Sequence, residues 1–248
     1  MLKVENLLHN YDGLTVLMDV SFSIESGERV GLIGPNGAGK TTLLNILSGL
    51  IRHVSGRIYF LDKEVSRLPA YKRTSLGIGR SFQINALFPN LSLLDNVRLA
   101  IQGTKACRFQ MFRTINSYGD TLKEAKALLE RVNLWERRYD PIHTLSHGKQ
   151  RQLEILLALA SKPKLLFLDE PSAGLTGDET ADLVNVIRSL VGHTTIFFCA
   201  HDMGLVFSLA DRVIVLHIGQ IVAQGTPQEI RDNPVVREIY LGTENENT

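Results

Sequence analysis

The chain has 248 residues, two of them cysteine, with 44% hydrophobic and 21% charged residues and a formal net charge of +1. That balance fits a folded chain with a sizeable core and excludes both a disordered segment and a scaffold that depends on disulfides. Near-neutral charge gives no whole-chain electrostatic reason to bind nucleic acid or anionic lipid. Cys107 and Cys199 lie far apart, without Cys-x-x-Cys or zinc-ligand spacing, so both are expected to be free thiols. The start, Met1-Leu-Lys-Val-Glu-Asn6, shows no secretory pattern, and the longest unbroken apolar run, residues 155–160, is far too short to cross a membrane. A membrane role would run along the surface or through a partner.

In chain order, residues 2–8 and 18–25 read as strands separated by the turn-forming Tyr11-Asp12-Gly13. Arg29–Ile33 is a short apolar strand that runs into glycines, and residues 40–50 have helical spacing closed by Gly49. Residues 56–61 read as another strand. From about 85 to 145 the strand patterns vanish, and helices are expected at 93–101 and 122–132. Residues 103–120 are weakly periodic and basic around Arg108 and Arg113, a solvated face. The region 85–160 is expected to be a helical subdomain inserted into one α/β domain spanning 1–248. Helix 146–161, strand 164–169, helix 178–190 and strands 194–200 and 212–216 then restore the α/β rhythm. Such alternation implies a mainly parallel sheet covered on both faces. The polar tail 243–248 should fray.

Gly34-Pro35-Asn36-Gly37-Ala38-Gly39-Lys40-Thr41 fits G-x-x-x-x-G-K-[ST] at every position, with an apolar strand before it and the helix from Lys40 after it; these residues and Thr42 are expected to bind the nucleotide. Glycines let backbone N–H groups turn inward around phosphate oxygens, and the helix start presents its positive end to the same anion. Lys40 is expected on the β- and γ-phosphates and the Thr41 hydroxyl on Mg²⁺. The expected ligands are a nucleoside triphosphate and its magnesium ion.

Lys164-Leu-Leu-Phe-Leu-Asp169-Glu170 is the expected second half. A fully apolar run makes a buried parallel strand, and its carboxyl end is where α/β sheets bind ligands. Asp169 is expected to hold Mg²⁺ through water, and Glu170 to polarise the attacking water. No Asn-Lys-x-Asp occurs, so nothing selects guanine.

Leu145-Ser146-His147-Gly148-Lys149-Gln150 resembles the Leu-Ser-Gly-Gly-Gln signature of ATP-binding cassette (ABC) ATPases, with His147 in place of the first glycine. Gln83 looks like the Q-loop glutamine, Ser172–Thr176 like the D-loop with Thr176 where many members carry Asp, and His201 like the switch histidine. Tyr11 stands where the adenine-stacking aromatic does, with Val16 beside it. The resemblance covers essentially the whole chain. It implies an ATP hydrolase whose signature residues Ser146, His147, Gly148 and Gln150 close over ATP held by a second ABC ATPase subunit, identical or related. It implies Gln83, Glu170 and His201 in catalysis, with Thr41, Gln83 and Asp169 on Mg²⁺. Transmembrane permease subunits are the implied partners, placing the chain peripherally on the cytoplasmic face of the cell membrane.

Within the family the chain looks most like ATPases of branched-chain (hydrophobic) amino acid importers, in its Ser-His-Gly signature, its D-loop without Asp and its ending Gly225–Gly242. An importer of that type also implies an external solute-binding protein. Urea and short-amide importers and lipopolysaccharide exporters share parts of the pattern. A soluble ABC ATPase acting on nucleic acid or chromosomes fits less well, since such proteins need long heptad insertions and this chain has none. Leu87, Phe88 and Leu91 lie in a turn-rich stretch after Gln83 and are expected to be exposed apolar anchors for a permease helix.

Overall fold

The computed structural model describes residues 1–81, 87–104, 119–189 and 194–244. Gln83, Cys107, Arg108, Arg113 and the end of the tail lie outside them. In chain order come β1 (Leu2–Tyr11), β2 (Leu14–Ile24), β3 (Arg29–Ile33), α1 (Lys40–Ser48), β4 (Ser55–Phe60), β5 (Lys63–Glu64), α2 (Ala70–Leu76) and β6 (Ile78–Arg80). Helices α3 (Leu93–Thr104), α4 (Gly119–Glu130) and α5 (His147–Leu159) follow. The chain then runs through β7 (Leu165–Asp169), α6 (Gly177–Arg188), β8 (Thr195–Cys199), α7 (Met203–Leu209), β9 (Arg212–His217), β10 (Gln220–Gly225), α8 (Pro227–Asp232) and α9 (Pro234–Glu244).

Two sheets form. The first is antiparallel, in the order β2-β1-β4-β5; the second runs β10-β9-β3-β8-β7-β6 and is parallel except for its β10 edge. The first hairpin is longer than its hydrophobic pattern indicates. Tyr11 pairs with Leu14, and Asp12-Gly13 alone makes the turn, both at positive φ. A two-residue turn of that hand matches the twist of the flanking strands, so pairing continues up to it.

β7 shows how the parallel sheet is covered. Leu165 and Phe167 face one core with α1 and the antiparallel sheet, including Leu44, Leu47 and Ile58. Leu166 and Leu168 face the other, among the helices. The period-2 alternation of a strand buried on both faces produces this split. The helices after β6 feed the second core: Leu93, Val97, Leu129 and Leu153 join Leu166 and Phe198 in one continuous cluster.

The turn before α3 departs from expectation at one residue. Leu87 is buried in the core, while Phe88 and Leu91 are exposed. The buried Asn96 amide explains the geometry, because it accepts from Phe88 N–H and donates to the Phe88 and Ser92 carbonyls. That clasp turns Phe88 outward and its neighbour in.

Candidate active site

The loop 34–39 leaves β3 at the carboxyl edge of the parallel sheet. Gly34 has φ 155°, and a Cβ there would sit 2.0 Å from the Leu216 carbonyl oxygen of the neighbouring β9, so only glycine fits. Gly39 ends the loop in the left-handed region and serves as N-cap of α1 without any side-chain cap. The first N–H groups of α1 therefore compete with no side chain of their own. The Lys40 ammonium folds over the loop and donates to the carbonyls of Gly34 at 2.6 Å and Pro35 at 2.9 Å. Burial pushes its pKa below the usual value, although Glu170 and Asp169 nearby oppose the shift.

A cleft of about 270 Å³ opens here, lined by Tyr11, Val16, the backbone and side chains of residues 36–42, Glu170 and His201. Residues from β1, β2, the loop, α1, the end of β7 and the end of β8 thus meet in one place. Tyr11 is half-exposed, and its ring packs edge-on against His9, centroids 4.6 Å apart. Glu170 Oε1 and His201 Nε2 lie 2.9 Å apart. Glu170 itself has φ 44°, a left-handed conformation at the point where the chain leaves β7.

Asp169 is almost wholly buried at the strand end. Its Oδ2 accepts from Arg80 Nη2 at 3.0 Å, and Arg80 also donates to Asn45 and Ser48 on α1. Burial raises the Asp169 pKa, while Arg80 opposes the rise. Its other oxygen, Oδ1, is buried and has no hydrogen-bond partner among the described residues. A buried carboxylate oxygen left without a donor is costly; with the Thr41 hydroxyl on the cleft wall, it supplies the hard oxygen chemistry that suits Mg²⁺.

The signature residues do not line this cleft. Ser146 N-caps α5, accepting from Lys149 N–H. Its hydroxyl also donates to Glu179 Oε1 at 3.1 Å, and Gly148 N–H donates to the same oxygen at 3.2 Å. The other Glu179 oxygen closes a capping box on α6 with Thr176. One carboxylate therefore bridges two helix N-termini, and chiefly the Thr176 backbone N–H holds its pKa below the ordinary value. Gln150 turns its amide back to the Leu145 carbonyl. His147 is exposed, with its ring against Gly174.

Sequence reasoning missed several residues. Arg80, Glu179 and Arg151 are three of them. Arg73, fully buried, donates to the carbonyls of Ile46 and Leu47 at the end of α1 and to those of Ser66 and Leu68. Burial lowers its pKa to about 10. Arg80 and Arg73 belong to no contiguous motif that joins them to their partners; Thr176-x-x-Glu179 spells a capping box and Arg151 stands three residues from Glu154, but neither spacing announces the contact with Ser146 or with the 169–171 carbonyls.

The ABC transporter family model matches residues 17–173, and a model described as branched-chain amino acid ATP-binding cassette transporter matches residues 220–246. The high-affinity branched-chain amino acid transport ATP-binding protein LivG of Salmonella typhimurium is 38% identical over 251 residues, covering 98% of each chain. The lipopolysaccharide export system ATP-binding protein LptB of Acidithiobacillus ferridurans is 34% identical, covering 98% of this chain and 97% of its own. Among solved structures, the ADP conformation of an ATP-binding cassette from an ABC transporter superposes with a TM-score of 0.86 at 27% identity, covering 98% of both chains. A match over most of the length, with the phosphate loop, strand-end acids and signature helix all in place, makes this chain an ATP-binding ATPase of the ABC transporter family.

Proposed function

We propose that this ATPase drives import of branched-chain or other hydrophobic amino acids through separate permease subunits, working at the cytoplasmic face of the membrane. The observation that carries the solute class is the match of residues 220–246 to the branched-chain cassette model, alongside the resemblance to LivG over the full length. The likeness to LptB keeps lipopolysaccharide or lipid export as the competing reading. Among the described residues no helix is long and apolar enough to cross a membrane, so transport needs a permease.

In this reading ATP lies across the cleft. Tyr11 and Val16 flank the base. The backbone N–H groups of residues 36–42 hold the phosphates, with Lys40 on the β/γ oxygens. Glu170 accepts a proton from the attacking water, and His201, 2.9 Å from it, orients that carboxylate and the γ-phosphate. Thr41, Asp169 and Gln83 would hold Mg²⁺, which supplies charge neutralisation at the phosphates. Ser146 and Gly148 of a second cassette close over the nucleotide. The two ATPases couple to transport through the different affinities of the open and closed pairs for nucleotide. A groove of about 440 Å³ lined by Phe88, Leu99, Ala100, Glu154 and Leu157 offers the permease an apolar seat. A solute-binding protein would deliver the amino acid from outside.

The test is uptake of labelled leucine by cells lacking the chain, restored with wild type or with Glu170→Gln. Wild type should restore uptake and Glu170→Gln should not, although the purified mutant still binds MgATP. Unchanged leucine uptake without the chain would overturn the solute assignment. Wild-type hydrolysis by Glu170→Gln would move the base elsewhere.

A further inference from the structure

Glu170 adopts a backbone conformation that a glutamate rarely takes, with φ 44°, and such conformations persist only where the surroundings impose them. Part of the imposition comes from β8, since Glu170 N–H donates to the Cys199 carbonyl at 2.9 Å. The turn itself adds Ala173 N–H on the Glu170 carbonyl at 3.1 Å, and a further part comes from the opposite side, from a residue on the signature helix. Arg151 sends Nη2 to the Asp169 carbonyl at 2.8 Å and to the Glu170 carbonyl at 3.1 Å, and Nε to the Pro171 carbonyl at 3.2 Å. One planar guanidinium thus gathers three successive carbonyls where β7 ends and the chain turns.

The guanidinium is itself held. Its Nη1 donates to Glu154 Oε2 at 2.7 Å one turn along α5, and both side chains are largely buried, with 11% and 7% exposure. A planar fork of donors with a fixed carboxylate behind it is rigid in a way that a lysine ammonium is not. The four bonds fix the direction in which the Glu170 side chain leaves the backbone. That direction decides whether its carboxylate reaches the attacking water, and a displacement of about 1 Å at such a group costs roughly a hundredfold in rate.

We propose that Arg151 is a positioning residue for hydrolysis: braced by Glu154, it holds the Asp169-Glu170-Pro171 turn so that the Glu170 carboxylate faces the cleft. The inference rests on the assignment of Glu170 as the base. It also has a consequence for coupling. Arg151 sits on α5, whose start carries the signature residues, so the helix that serves a partner's ATP also sets the base that serves the chain's own.

The experiment uses full-length protein in the assembly in which the wild type turns over ATP, comparing Arg151→Met, Arg151→Lys and Glu154→Gln. Arg151→Met should lower kcat by roughly ten- to a hundredfold, with KM for ATP within about twofold and nucleotide binding intact. Arg151→Lys should recover part of the loss, and Glu154→Gln should lose a few-fold. In a Glu170→Gln background, Arg151→Met should cause no further loss, because the group it positions is already gone. Wild-type kcat in folded Arg151→Met would overturn the proposal. So would a raised KM with kcat intact, or the same fold-loss in the Glu170→Gln background. If Arg151→Met fails to fold, a wild-type kcat in both Arg151→Lys and Glu154→Gln overturns it instead. Lys40→Ala runs alongside: if it is dead while Arg151→Met is normal, the brace alone fails, whereas activity in Lys40→Ala removes the nucleotide site itself.

Discussion

The chain carries two helix N-termini assigned to the same kind of ligand, and they are built in opposite ways. At α1 the N-cap is Gly39, no side chain caps the helix, and the first turn holds no acid. At α5 the N-cap is Ser146, and a carboxylate from α6 already sits on its donors. A helix N-terminus attracts anions through its unsatisfied N–H groups and its dipole. The phosphate loop keeps those groups for a phosphate. The signature end presents them to Glu179 in the single chain. Gly148 fits the second arrangement, since a Cβ there would lie 2.6 Å from the Glu179 carboxylate. One end keeps its donors open for an anion; the other already has an internal anion on them, which a phosphate arriving there would meet.

The comparison breaks first at Lys40. Its ammonium brings the only side-chain cation of the cleft lining onto the loop, among the described residues. Backbone dipoles alone do not neutralise the β- and γ-phosphates. Lys40→Ala should lower hydrolysis by at least roughly a thousandfold, about 4 kcal/mol, and weaken ATP binding. Steady-state turnover and nucleotide titration on one preparation check both. Near-normal turnover would mean that α1 is no better an anion site than α5.

The next effect is on stability. The α1 start is open, but its end is pinned by Arg73, whose guanidinium takes up the last-turn carbonyls of Ile46 and Leu47. Arg73→Met leaves those buried acceptors short of donors, at a cost of about 2–3 kcal/mol. Relief of the buried charge offsets part of the loss. Urea unfolding should show the lower midpoint at unchanged slope. Unaltered stability would show that α1 needs no anchor behind its phosphate loop.

These features differ in how far the sequence discloses them. The phosphate loop is legible because its chemistry needs eight consecutive residues in one turn. Asp169 and Glu170 are legible because an unbroken apolar strand ends on them. Arg73 reaches Ile46 across 27 positions and Arg80 reaches Asp169 across 89, so no local pattern announces them; Thr176-x-x-Glu179 is a legible capping box, but its reach to Ser146, 33 positions away, is not. Short elements escape for another reason: α2 has seven residues and β6 three, too few for a hydrophobic period to show. β10 alternates only between exposed and half-buried positions, and its pattern is faint. Thr176 reads as a departure from the family D-loop. In the fold it caps α6 and, with that cap, places Glu179 against Ser146.

The smallest effect sharpens the comparison most. If Glu179 competes with the partner's γ-phosphate for Ser146 and Gly148, removing its charge should ease closure. Glu179→Gln keeps the side-chain shape and one acceptor oxygen; it loses the negative charge facing the incoming phosphate and, where the amide nitrogen sits, one of the two acceptors that serve Ser146 and Thr176. In a Glu170→Gln background, where ATP is not consumed, ATP-driven association with the second cassette should then need roughly two- to fivefold less ATP. Ser146→Ala is the control. It removes a phosphate donor and should need roughly tenfold more. The carboxylate also supports the fold, which fixes the sign of its pH effect. Its folded-state pKa lies below the ordinary glutamate value, so its stabilisation is present above that ordinary value and is lost as pH falls through the lower one. Association measured near neutral pH therefore compares a charged Glu179 with a neutral Gln. An increase in the ATP required by Glu179→Gln, with Ser146→Ala impaired, would show that Glu179 holds the signature donors in place for the phosphate and does not compete with it. No change in Ser146→Ala would show that the α5 terminus never meets nucleotide, and the likeness between the two helix ends would stop at their backbone dipoles.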